Sequence, residues 1–203
     1  MDVSLQVAIV AGGVTALGWL VTHILSQLAD GRKSRREFLL AHTAMQLAEL
    51  YGPLALLVLE GRRSWEELTY SLDINNEAFF APEYTPESNE RLKTWLFWVE
   101  QDFMPRNRQI RDLLATNPHL LEGRRMPESW QQFLEHYKSW EINHLRWTKE
   151  GIAYPWRSRV NWPTDFSTEI LDTFYRLKQR HWSLVVQESP KAIDDADSGM
   201  QEG

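Results

Sequence analysis

Six histidines and a scatter of arginines are the side chains with which this chain could do chemistry. Arg176 and His181 stand five positions apart, and Arg36 with His42 is a looser version of the same spacing. An imidazole that titrates near neutral pH can move a proton, while a guanidinium holds phosphate charge. Such a pair suits a phosphodiester. His181 also falls on the apolar stripe of its segment, with Phe174, Leu177, Leu184 and Val185, and packing in a core claims it first.

His136 and His144 share one helical segment, with Trp140 between them and Glu141 beside it. Eight helical positions span about 12 Å, too far to share an ion, and ligands at i and i+4 would be needed. No two histidines have that spacing, so no metal site is expected, and no cofactor. His23, His42 and His119 stand alone. There is no cysteine, which excludes thiolate sites, disulfides and a cysteine nucleophile. A glycine-rich phosphate loop, a serine elbow and a paired acidic motif are also missing, which disfavours nucleotide hydrolysis and acyl transfer.

The elements that must position these groups read as helices throughout, giving an all-α chain with no sheet. Leu40, Ala44, Leu47, Tyr51, Leu54 and Val58 alternate spacings of four and three, a heptad-like seam. Gly52-Pro53 lies inside it and predicts a kink. A second helix is expected over Ser64 to Leu72, then a loop from Asp73 to Tyr84. Thr85-Pro86 starts a helix with Leu92, Trp95, Leu96, Val99 and Phe103 on one side. Pro105 bends or restarts it, and Ile110, Leu113 and Leu114 carry the face to Asn117-Pro118. Pro127 opens a helix bearing Trp130, Phe133, Leu134, Tyr137, Trp140, His144 and Trp147, with Gly151 as its C-terminal cap. The last helix starts near Pro163 and shows Phe166 and Ile170 ahead of the stripe that ends at Val185. The ten tryptophans read as large core fillers and anchors.

The first thirty residues differ in kind. Val3 to Leu28 runs 26 residues without Asp, Glu, Lys or Arg, more than the ~20 a helix needs to cross a bilayer. Arg32, Lys33, Arg35 and Arg36 follow as a basic block. Basic residues come after the apolar run, and Ala29-Asp30-Gly31 is a poor cleavage site, so the segment reads as an uncleaved anchor. The positive-inside rule then puts the N-terminus outside and the rest in the cytoplasm, with the block also touching anionic lipid. Ala8, Gly12 and Ala16 repeat at fours, a small-residue face for helix packing in lipid. The expected organisation is a transmembrane anchor over 1–30, a cytoplasmic helical bundle over 31–187 and a disordered acidic tail over 188–203. The net charge of −6 disfavours nucleic acid as a partner.

The string QLAELYGPLALLVL from Gln46 to Leu59 resembles a pattern in uncharacterised bacterial single-pass membrane proteins, where Leu-Tyr-Gly-Pro-Leu follows a basic juxtamembrane block. Phe103-Met104-Pro105 leading into RNRQIRDLLATNPHLLE, and Trp162-Pro163 with Phe174-Tyr175-Arg176-Leu177-Lys178, resemble the same group. The resemblance implies an anchored helical domain in the bacterial inner membrane and no defined activity. Separately, Arg176 to His181 resembles the Arg-x4-His motif of HEPN-type ribonucleases, where Arg and His of two subunits meet at a phosphodiester. The residue after that arginine is polar in the family; here it is Leu177.

Together these point to a membrane-tethered interaction, scaffold or accessory domain rather than an enzyme. Its partners are the bilayer and either its own copies or another protein. The alternative is an effector: a HEPN-like ribonuclease using Arg176 and His181, or an oligomeric pore through the Ala8, Gly12 and Ala16 face.

Overall fold

The computed structural model describes residues 3–75, 89–151 and 160–186, with side chains from Trp19 onward and from Arg91 after the first gap. The described residues are mostly helical, with no strand among them. The chain divides into two compact units. One comprises residues 1–43 and 181–203, the other 44–180. The expected helix start at Thr85-Pro86, most of the expected loop from Asp73 to Tyr84 and the acidic tail lie outside the described residues.

Helix α1 covers Val3–Met45, and Gly31 does not interrupt it. A single glycine costs a helix interior only about 1 kcal/mol, too little to end one this long. A π-helical turn, Gln46–Tyr51, follows and leads into α2, Gly52–Ser71. Where the sequence predicts a kink at Gly52-Pro53, the chain forms this π-helical turn. A proline has no N–H to donate and crowds the carbonyl four residues back. Widening the preceding turn relieves that crowding, and the Gly52 N–H bonds to the Leu47 carbonyl, five residues back. The wider turn brings that carbonyl so close that a Cβ at residue 52 would collide with it. Glycine is required here.

The same device recurs. Helix α3, Asn89–Trp98, passes through a π-helical turn, Val99–Phe103, into α4, Met104–Thr116, with Pro105 in its first turn. The Met104 N–H bonds to the Val99 carbonyl, again five back. Sequence reading separates a helix at Ser64–Leu72 from the seam, but α2 is continuous through Gly61. A short 3-10 turn, Pro118–Leu120, precedes α5, Glu128–Glu150. Gly151 ends α5 in the left-handed region at φ 63°, its N–H returning to the Trp147 carbonyl, as expected of a C-terminal glycine. Helix α6 covers Thr164–Val186.

The core lies in the larger unit. Leu50, Leu54, Leu68, Ile110, Leu120, Phe133, Phe166, Ile170 and Leu177 have no exposed surface. Burying such a side chain contributes ~1.5–3 kcal/mol. Because a π-helical turn admits one extra residue, Leu50 faces inward beside Tyr51, while Leu47 of the seam is only partly buried. Two buried amide side chains are tied to backbone: Gln46 donates to the Leu120 carbonyl at 2.9 Å and Asn117 to the Glu49 carbonyl at 3.1 Å. The Glu122 N–H donates to the Tyr51 hydroxyl at 2.9 Å.

In the smaller unit, Arg36 donates to the Leu184 carbonyl in the last turn of α6. A cation there offsets the negative end of the helix dipole. Arg32, Lys33 and Arg35 are exposed. So are Trp19, Leu20, Val21, Ile24, Leu25 and Leu28 on α1.

Candidate functional site

A cavity of about 430 Å³ opens in the larger unit between α2, the α3–α4 segment, α5 and the start of α6. That volume is within the range of small-molecule sites. Its walls are built by ring packing. Trp162 meets the His136 ring at 5.7 Å, His136 meets Trp140 at 6.3 Å, and Trp140 meets Trp95 at 5.8 Å. Trp95 then touches Phe103 at 5.9 Å, and Phe103 touches Trp65 at 6.3 Å. All six rings line the cavity. Aromatic faces supply large apolar area with little freedom to lose.

Three polar side chains sit in this aromatic floor, all less than a tenth exposed: Arg106, Asn107 and His136. Arg106 forms an ion pair with Asp102, one helical turn back. Its guanidinium also lies over the Phe103 ring, 5.7 Å from the centroid. The side chain fits because residue 61 on α2 is glycine: a Cβ there would stand 2.9 Å from Nη1. Burial pulls the Arg106 pKa below its ordinary value, and the charge of Glu60 works against that. Arginine keeps its proton even so.

The His136 Nδ1 lies 2.7 Å from the Val160 carbonyl. An acceptor there fixes the proton on Nδ1 and leaves Nε2 as an acceptor in the neutral ring. Burial holds the His136 pKa below the usual histidine value, and the Val160 bond opposes this. The ring is neutral at pH 7. The rim is different in character, since Arg62, Asn161, Thr164 and Thr168 are exposed. Arg62 has no ion-pair partner among the described residues.

Sequence reasoning set aside His136 as half of a metal pair and passed over Arg106. Both carry a signal. His136 extends the series Phe133, His136, Trp140, and Arg106 extends Val99, Phe103, Arg106, Ile110, at core spacings of three and four. A polar residue on an apolar stripe, with Asp102 four positions before the arginine, marks a buried polar group with its partner.

The sequence candidates are not brought together. Arg176 is engaged by the Glu122 carboxylate and, at 3.1 Å, by the Thr173 hydroxyl. His181 is partly buried, its Nδ1 enclosed without a hydrogen-bond partner. Positions five apart on a helix point about 140° from each other, so one copy cannot aim both at one phosphate. Among the described residues no group of three His, Asp or Glu could hold a metal ion. The side chains of Ala8, Gly12 and Ala16 lie outside the described residues. Among the described residues no helix is long and apolar enough to cross a membrane. The apolar run begins at Val3, and its side chains are described only from Trp19.

Compared with protein-family models, with curated proteins and with solved structures, the chain matches none.

Proposed function

We propose that this chain is a tethered interaction module, a scaffold or accessory domain held at the bacterial inner membrane by its N-terminal helix. The N-terminus is outside and the helical body is cytoplasmic. One observation carries this. Trp19, Leu20, Val21, Ile24, Leu25 and Leu28 lie exposed around α1, from 47% for Leu20 to 68% for Trp19, and Arg32, Lys33 and Arg35 follow them. Large apolar side chains left uncovered over much of a helix surface need a non-aqueous surface or a partner. The cationic turn beyond them suits anionic headgroups, worth ~1 kcal/mol per charge.

The sequence upstream, without Asp, Glu, Lys or Arg back to Val3, brings the uncharged run to bilayer length. The resemblance to single-pass membrane proteins supports the same placement, and self-association through Ala8, Gly12 and Ala16 goes with it. The engagement of Arg176 by Glu122 favours binding over phosphodiester chemistry.

The test uses the absence of native cysteine. Single cysteines at Asp2 and Glu150 are labelled in intact bacterial cells with a membrane-impermeant maleimide. The full chain is expected in the membrane pellet after alkaline wash, with D2C labelled and E150C protected until lysis. Recovery in the supernatant, or equal labelling of both, overturns the reading. Light scattering of the detergent-extracted chain is expected to give more than one protomer.

A further inference from the structure

We infer that the aromatic cavity binds a compact apolar molecule bearing one carboxylate, its body between the tryptophan faces and its charge on Arg106 and Arg62. This inference does not depend on the membrane reading, because every lining residue belongs to the larger unit.

Shape and polarity set the body of the ligand. The floor is mostly apolar, formed by Leu57, Val58 and the ring series, and is broken only by the buried polar groups of Arg106, Asn107 and His136. Water in such a floor finds few partners, and an apolar group replaces it favourably.

Charge sets the head. An aromatic-walled cavity by itself would suit a cation as well as an anion. Among the described residues two guanidiniums line it and no carboxylate does. Asp102 and Glu60 moderate Arg106 from outside the lining. His136 is neutral and adds no charge. A cationic ligand would meet the exposed Arg62 charge and the donor-only Arg106, with no acceptor carboxylate among the described lining residues. An anion completes Arg106, whose planar fork carries five N–H donors and suits a carboxylate. Arg62 at the rim draws the anion in. A neutral ligand gains the apolar contacts alone.

The experiment uses the full-length chain in detergent and three probes of one shape: naphthalene-2-carboxylate, naphthalene-2-methanol and naphthalen-2-ylmethylammonium. Binding is read by equilibrium dialysis, with fold checked by circular dichroism. The carboxylate is expected to bind at least about tenfold more tightly than the alcohol, as charge-assisted hydrogen bonds exceed neutral ones. The ammonium is expected to bind weakest. Two variants at exposed positions spare the core. T168W plugs the rim and should abolish carboxylate binding. R62Q should weaken the carboxylate about threefold and leave the alcohol unchanged.

Equal binding of the three probes, tightest binding of the ammonium, or no binding at millimolar concentration overturns the proposal. Undiminished binding to T168W does so too, by placing the probe in the detergent or elsewhere on the chain.

Discussion

The Nη1 nitrogen of Arg106 stands 2.9 Å from the point where a Cβ at Gly61 would be, so a missing side chain on α2 admits a charged one from α4. Gly61→Ala sets two effects of similar size against each other. Alanine gains up to ~1 kcal/mol of helix propensity, and the guanidinium, the far end of a flexible chain, must give way by a few tenths of an ångström. The expected net change is within about 1 kcal/mol. Gly61→Leu cannot be absorbed in that way. It should cost about 1–3 kcal/mol in the manner of an overpacked core, measured by urea unfolding followed through tryptophan fluorescence. A neutral Gly61→Leu would mean that Arg106 does not lie against α2.

Asp102 holds the buried charge. Removing one partner of a fully buried pair costs about 3–5 kcal/mol, because the other is left uncompensated. Asp102 keeps 33% of its side chain exposed against 7% for Arg106, so water softens the loss. Asp102→Ala is expected to cost about 2–3 kcal/mol, and Arg106→Met in the Asp102→Ala background should recover part of it. A double-mutant cycle reads this directly. Additive losses would show that the pair does not couple.

Gly52 and Gly31 are both helical glycines, and they should respond to alanine with opposite signs. A Cβ at Gly31 meets nothing within 4 Å, so alanine gains propensity and raises stability by up to ~1 kcal/mol. A Cβ at Gly52 meets the Leu47 carbonyl, which is backbone and cannot swing aside. Gly52→Ala should cost about 2 kcal/mol or more, since the wide turn must reorganise around Pro53. Thermal unfolding reads the contrast, at about 2–4 °C per kcal/mol for a chain of this size. Equal Tm values for the two variants would remove the proposed role of the π-helical turn.

The parts of this fold legible in the sequence are those governed by one period. The stripe from Phe133 to Trp140, the stripe from Phe166 to Leu177 and the cap at Gly151 follow from helical spacing and glycine chemistry alone. Pro53 and Pro105 announce a disturbance, but its form is invisible to a 3.6-residue template. A π-helical turn shifts the inward face by one residue, and that is how Leu50 came to be missed. Gly61 carries no periodic signal at all, and only the fold shows it to be a seat for Arg106. The cavity was illegible because its wall is assembled from four separate stretches of chain. Trp65, Trp95, Trp140 and Trp162 each look like a core filler until the fold puts them around one space.

His136 ties that space to pH. Its folded pKa is lowered, chiefly by burial, against about 6.5 for an exposed histidine. Below pH 6.5 the unfolded chain therefore binds a proton that the folded chain refuses. Stability is fully present above 6.5, falls as pH drops through that value, and levels off only below the folded pKa. The slope contributed is at most ~1.4 kcal/mol per pH unit. His136→Asn keeps an amide N–H near the Nδ1 position for the Val160 carbonyl and removes the titration. Between pH 7 and 5.5, above the range where most carboxylates protonate, wild-type stability should decline more steeply than that of H136N. The two unfolding curves should converge as pH falls, because the variant lacks the proton uptake. Parallel decline of both proteins would show that the imidazole takes up its proton in place, and that the aromatic floor is wetter than its packing implies.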